Sequence, residues 1–172
     1  MPTRGVVLGF SGGVDSAVAA LRLLNAGERV HGLFLDVGVA GAREDAVRTA
    51  AFLGLPLELR DAREELSRLV CRSFLEGYRQ GRTINPCLLC NPAVKLRMLL
   101  RYADELGAER IATGHYAVAD NGALYVGHPA NDQSYQLCLI TREQLNRLAL
   151  PLGGAEKRLV RAEAAKAGVP VA

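Results

Sequence analysis

The stretch Gly9-Phe10-Ser11-Gly12-Gly13-Val14-Asp15-Ser16 constrains the fold more than any other. It follows the apolar run Gly5-Val6-Val7-Leu8, predicted as a buried parallel strand. It precedes Ala17-Val18-Ala19-Ala20-Leu21-Arg22-Leu23-Leu24, apolar on every face of a helical wheel, as a largely buried helix would be. A strand, a tight Ser/Gly turn and a helix together make an anion cradle. Glycines let the backbone approach a phosphate closely, successive N–H groups point into the turn, and the helix N-terminus adds positive partial charge. The lysine of a G-x-x-x-x-G-K-[ST] loop is missing, which argues against that class of phosphate site. The plainer reading is a Gly-rich turn capped by Ser11 or Asp15. The strand–turn–helix context favours the phosphate site.

The downstream pattern extends this unit. Gly27 suits a helix C-cap, and Arg29 to Leu35 reads as a second strand. Ala42 to Leu53 reads as an amphipathic helix closed by Gly54, and Leu55 to Arg60 as a short third strand. A long helix is predicted over Arg63 to Gln80, with Leu66, Leu69, Val70, Phe74 and Leu75 on one face and Cys71 among its core positions. Gly81 to Pro92 reads as a loop without periodicity. Ala93 to Leu106 is then a helix, Arg110 to Thr113 a strand and Gly114-His115-Tyr116 a turn. Val118 to Val126 is a hairpin turning at Asn121-Gly122. Short helical pieces come next over Ser134 to Leu139, Arg142 to Leu148 and Lys157 to Ala167, with Cys138 read as packing. This alternation is that of an α/β, doubly wound parallel sheet, whose ligands bind at the carboxyl edge of the strands.

Composition narrows the function classes. At 49% apolar and 23% charged, the 172 residues suit one α/β domain with a small appendage. No apolar run of about 18 residues exists and the start lacks a signal-peptide pattern, so a cytoplasmic chain without membrane partners is expected. A net charge of +3 does not demand nucleic acid, and scarce aromatics without Trp argue against a base-stacking platform. Arg142, Arg147, Lys157, Arg158 and Arg161 suit a basic face for phosphates or a merely solvated surface. Four cysteines in such a chain point to reduced, catalytic or metal-bound thiols. Cys87-x-x-Cys90 lies in a Pro-bounded loop before a helix, where a thiol's pKa is expected to fall. A zinc site lacks a second ligand pair.

At this point the order of motifs becomes specific. Ser-Gly-Gly-x-Asp-Ser resembles the pyrophosphate (PP) loop of the ATP-pyrophosphatase superfamily. Gly81-Arg82-Thr83, Asn85-Pro86-x-x-x-Cys90-Asn91, Lys95, Ala112 to Tyr116, Asp132-Gln133-Ser134-Tyr135, Pro151-Leu152-Gly153 and Lys157 occur after it in order. Together they resemble the tRNA-specific 2-thiouridylases over nearly the whole chain. The resemblance implies a fold of the adenine-nucleotide α-hydrolase/PP-loop type over residues 1–130. A short helical segment over 131–172 would begin the tRNA-binding region. It implies ATP and Mg²⁺ as cofactors, and tRNA and a persulfide-carrying sulfur-donor protein as partners. Gly9, Phe10, Ser11, Gly12, Gly13, Val14, Asp15 and Ser16 would hold ATP, with Asp15 on the metal side and Leu35 and Gly114 beside the adenosine. Cys90 would be the nucleophile. Asn85, Pro86 and Cys87, with Asn131, Asp132 and Gln133, would contact tRNA. Apart from the resemblance, His115 reads as a turn residue lining the ATP site through its backbone, with a general base as the alternative. The resemblance also implies a second catalytic cysteine in a segment beginning just past Ala172, and later largely β domains. Neither is in this sequence, so a companion chain is an expected partner, or Cys87 or Cys138 substitutes. An iron–sulfur cluster on the C-x-x-C pair with Cys71 or Cys138 ranks below the persulfide reading. The alternatives are an amidating or small-molecule-thiolating PP-loop ligase, and a truncated non-catalytic remnant that binds nucleotide or tRNA.

Overall fold

The computed structural model describes residues 5–170. β1 (Gly5–Gly9), β2 (Arg29–Asp36), β3 (Leu57–Asp61), β4 (Arg110–Ala112) and β7 (Leu148–Ala149) form one sheet in the order β3-β2-β1-β4-β7. Every pairing in it is parallel. The chain builds outward from β1 to β3, then returns to place β4 on the other side of β1. The crevice where strand order reverses therefore opens above the carboxyl ends of β1 and β4, which is where open α/β sheets bind ligands.

Period-two alternation sorts β1 between two cores. Val6 and Leu8 face α1 (Val14–Asn25) and α2 (Ala42–Leu53), together with α6 (Lys157–Lys166). Val7 faces the opposite side, against Leu96, Leu99 and Ala103. All three β1 residues are fully buried, as a strand covered on both faces requires. α6 packs on α1, where Arg22 and Glu163 form an ion pair with a 2.7 Å contact. The segment after residue 130 thus lies against the sheet, and it contributes α5 (Arg142–Arg147) and β7, a two-residue strand that periodicity does not reveal.

β5 (Ala117–Asp120) and β6 (Ala123–Val126) form the expected hairpin. Asn121 and Gly122 both take positive φ, 49° and 72°, as a tight two-residue hairpin turn needs.

Two helices differ from the sequence reading. α3 runs through Arg63–Leu66, a π turn over Ser67–Cys71, and Arg72–Arg79. A π turn inserts one extra residue and rotates the downstream residues by about 100°. Val70 remains buried, but Leu75 and Cys71 are exposed rather than in the core. Cys138 is also exposed rather than packed.

The second difference is the stretch predicted as a loop. α4 begins within it and runs through Pro86–Cys90, a π turn over Asn91–Lys95, and Leu96–Leu106. Asn85 caps it, its side-chain oxygen accepting from the Cys87 N–H at 3.0 Å, and Pro86 occupies the first helical position, where its missing N–H costs nothing. Pro92 does not end the helix. The widened turn around it relieves the clash a proline ring makes with the carbonyl four residues back. Cys87 and Cys90 therefore stand on a helix that leads directly into the core.

Candidate nucleotide and thiol site

The turn after β1 is held from three sides. Gly12 has φ +80° and fits closely under α2. A β-carbon on it would stand 2.6 Å from the Ala46 nitrogen and closer still to the Ala46 Cα. Thr49 of α2 donates its hydroxyl to the Gly12 carbonyl at 3.1 Å. The Ser16 hydroxyl donates to the Gly13 carbonyl at 2.9 Å and lies 3.2 Å from the Ser11 hydroxyl. Gly13 at the N-cap of α1 brings no capping side chain. The first-turn N–H groups and the helix dipole therefore face a prospective anion without competition from a cap.

The opposite wall comes from the turn after β4. Gly114 packs so tightly on the start of α1 that a β-carbon there would meet the Asp15 carbonyl at 3.2 Å. His115 is buried, and its Nδ1 lies 2.8 Å from the Thr113 hydroxyl. Burial, with the Lys95 charge adding to it, lowers its pKa from 6.5 to about 3, so the imidazole is neutral across the ordinary pH range. An unfolded chain takes up a proton on this ring below pH 6.5 that the folded chain refuses until about pH 3. Stability is therefore complete above that window and is lost as pH falls through it, by about 1.4 kcal/mol per unit. His115→Gln is expected to flatten part of the fall in Tm between pH 6 and pH 4. An unchanged slope would assign the acid sensitivity to other groups.

Asp15 sits in a network that sequence spacing could not reveal. The Tyr116 hydroxyl donates to Asp15 Oδ1 at 2.6 Å, and Lys157 Nζ lies 3.3 Å from Oδ2. The same ammonium stands 5.6 Å from the centre of the Tyr116 ring. Burial, reinforced by the hydrogen bond to Asp15, pushes the Tyr116 phenol well above its ordinary value, so it remains a donor. Gln133 brackets the same residue, accepting from the Tyr116 N–H at 3.1 Å and donating its own N–H to the Tyr116 carbonyl at 2.7 Å.

Between these walls lies a cavity of about 420 Å³. Gly9, Phe10, Ser11, Asp15 and Ser16 line it from β1 and its turn, and Leu35 with its neighbours from β2. Gly114 and His115 line it from the β4 turn, Cys90 and Lys95 from α4, and Gln133 and Gln136 from beyond the hairpin. Gly12, Gly13 and Val14 complete the turn but are not on the cavity wall. Asn85, Pro86, Cys87, Asn131 and Asp132 are not on the cavity wall. Asn131 bridges the Ala155 carbonyl and the Lys157 N–H, and Asp132 accepts from Gly127 and Ser134. Part of the expected basic face is engaged internally. Arg147 pairs with Asp104 at 2.6 Å and donates to the Ala108 and Glu109 carbonyls, and Arg158 pairs with Glu156.

Cys90 corrects the expected thiol chemistry. It is half-buried against the cluster of Ala62, Val70, Val94 and Met98, and this burial raises its pKa, with neighbouring Cys87 and Cys71 adding to the rise. The Lys95 charge opposes the shift without reversing it. A position near a helix start does not lower a pKa when desolvation is the larger effect. Among the described residues, no group of three or more His, Cys, Asp or Glu side chains is arranged to hold a metal ion.

The profile of the tRNA methyl transferase HUP domain family matches residues 4–172. The chain belongs to this family. It is 43% identical to a tRNA-specific 2-thiouridylase MnmA of Syntrophotalea carbinolica over 98% of its own length and 52% of that protein. It is 42% identical to one from Thermobifida fusca over 99% and 51%. The chain thus spans about half the length of the curated relatives it matches. Among solved structures, a glutamine-dependent NAD⁺ synthetase of Acinetobacter baumannii matches with a TM-score of 0.65 at 16% identity, over 96% of this chain and 29% of that one. An NMN synthetase of Francisella tularensis gives 0.61 at 18% identity, over 98% and 63%. These likenesses carry the fold alone, a mostly parallel α/β sheet. Among the described residues, no helix is long and apolar enough to cross a membrane.

Proposed function

We propose that this chain is the adenylating and sulfur-transferring part of an ATP-dependent tRNA 2-thiouridylase, exchanging the 2-oxygen of a wobble uridine for sulfur. The observation that carries this reading is one cavity lined both by the Ser/Gly cradle and by Cys90. Its support is similarity to relatives named for this activity and a thiol beside the phosphate cradle. Although the family label speaks of methyl transfer, a thiol in the cleft suits sulfur chemistry.

The cradle from Ser11 to Ser16 would hold the phosphates, while Phe10, Leu35 and Gly114 would border the adenosine. Uridine O2 is a poor leaving group until AMP is attached to it. Oriented N–H groups stabilise the charge that develops on pyrophosphate as that bond forms. A thiol then attacks the inner sulfur of a Cys90 persulfide and closes a disulfide with it, the sulfide so released adds to the activated carbon, and AMP departs as the C–O bond breaks. Neutral His115 adds no charge beside the phosphates. Asp15 is the only acidic residue on the cavity wall among the described residues, and a single carboxylate plus substrate phosphates suits Mg²⁺. Oδ2 would have to exchange its 3.3 Å contact with Lys157 for the ion. Bound there, Mg²⁺ would neutralise phosphate charge.

In this reading the Asn85–Cys87 turn and Gln133 approach the tRNA, Asn131 and Asp132 shape that edge from within, and a persulfide carrier supplies sulfur. The test incubates the purified chain with ATP, Mg²⁺, unmodified tRNA and a small persulfide, then measures AMP and digests the tRNA for mass spectrometry. AMP whose formation requires tRNA, together with 2-thiouridine, is the expected result. AMP formed without tRNA would point to a small-molecule PP-loop ligase, and no AMP would overturn the proposal.

A further inference from the structure

Cys87 has no place in the adenylation chemistry, and its position on α4 gives it one in sulfur handling. Cys87 and Cys90 are three residues apart in the first turns of α4. Helix geometry puts their Cα atoms about 5 Å apart, within the span of about 4.4–6.8 Å that a disulfide bridges. Helical side chains lean toward the N-terminus, which tips Cys90 toward Cys87. Their exposures differ in a useful way. Cys87 is exposed, open to a donor from solution, whereas Cys90 is half-buried and lines the cavity. The Asn85 cap fixes the Cys87 backbone, so the pair is held in register. Cys71 ends the π turn of α3, which packs on the same part of α4, so it is the competing third thiol.

We propose that Cys87 is the exchange partner of Cys90, receiving sulfane sulfur at the surface, passing it inward, and closing a disulfide when sulfide is released. This rests on the reading of Cys90 as the sulfur-transferring thiol, though its chemistry needs neither ATP nor tRNA. A small persulfide first transfers its outer sulfur to Cys87 and leaves as a thiol. The Cys90 sulfur attacks the outer sulfur of the Cys87 persulfide, and the Cys90 proton passes to the displaced Cys87 sulfur. Cys87 then attacks the inner sulfur of the Cys90 persulfide, breaking its S–S bond. Sulfide departs carrying both protons, and a Cys87–Cys90 disulfide remains. The two thiols are oxidised by two electrons and the sulfane sulfur is reduced by two. An external dithiol restores the pair.

The test treats the reduced full chain with glutathione persulfide alone, traps released sulfide, and maps alkylated tryptic peptides without reductant. Both thiols lie in the peptide from Thr83 to Lys95, while Cys71 lies in Leu69 to Arg72. Near one sulfide per chain is expected, with peptide 83–95 lighter by two hydrogens and refractory to alkylation. Cys87→Ser should cut sulfide release at least tenfold and leave Cys90 alkylatable or persulfidated. A cross-link between peptides 69–72 and 83–95 would overturn the proposal in favour of Cys71. Undiminished sulfide release from Cys87→Ser would overturn it as well. Failure of tRNA thiolation with this disulfide intact would count against the proposed function and not against the thiol pair.

Discussion

Gly12→Ala should abolish measurable ATP binding, lowering affinity at least about 100-fold, and should also lower Tm. Two costs coincide at this residue. An L side chain at φ +80° is strained by about 1–2 kcal/mol. The added carbon also stands 2.6 Å from a backbone nitrogen of α2, so the conflict is with a helix and not with a side chain that can rotate. Either the turn or α2 must shift, and the Thr49 bond that holds the Gly12 carbonyl is lost with the shift. Under the proposed function the cradle would aim several N–H groups at one point, so a displacement of about 1 Å would weaken all of them together.

Two other glycines separate the causes. Gly13→Ala meets nothing closer than the Ser11 hydroxyl at 3.7 Å and should bind ATP within a few-fold of the parent. Gly27→Ala has the positive φ, 78°, with no atom within 4 Å, and should lose about 1 kcal/mol of stability while binding ATP normally. Titration calorimetry with a non-hydrolysable ATP analogue, beside thermal melts, reads all three. If Gly12→Ala binds like Gly13→Ala, the turn is not the phosphate site.

The parts of the fold legible in sequence are those set by local chemistry. Ala42 and Leu53 bound α2 where the apolar period and Gly54 put them, and Asn121-Gly122 makes its hairpin because two adjacent residues tolerate positive φ. The β1 turn is readable because strand, glycines and helix are contiguous. The departures share a physical cause. A helical wheel assumes a constant advance per residue, and the π turns in α3 and α4 break that assumption. Cys71 and Leu75 rotate off the face that the wheel assigns them, and Pro92 lies inside a helix that the pattern begins one residue later. β7 is hidden because two residues carry no period and their partner, β4, is more than thirty residues away. The Tyr116–Asp15–Lys157 network joins residues 101 and 142 positions apart, so only the topology brings it together. The direction of the Cys90 shift depends on burial by Val70 and Val94, supplied by other turns of the fold.

That buried setting makes Cys90→Ser the most discriminating single substitution. Under the proposed function it should remove 2-thiouridine formation by at least about 10³-fold while AMP formation stays within a few-fold. Serine differs from cysteine by one atom, and α4 passes through this position already folded, so the phosphate cradle across the cavity has no reason to move. A hydroxyl cannot form or carry a persulfide and is essentially never ionised at neutral pH, so sulfur transfer has no substitute route at that atom. Half-burying a hydroxyl against the Val70 and Val94 cluster costs about 1 kcal/mol, which a melt detects and which is too small to unfold a domain. Asp15→Asn should give the opposite pattern, losing AMP and thiouridine together, because it acts at the phosphates before sulfur enters. If Cys90→Ser also stopped AMP formation, Cys90 would be a wall of the nucleotide site and not its sulfur group. If thiouridine persisted, sulfur would reach the activated base from another thiol, and exposed Cys87 would be the first to replace next.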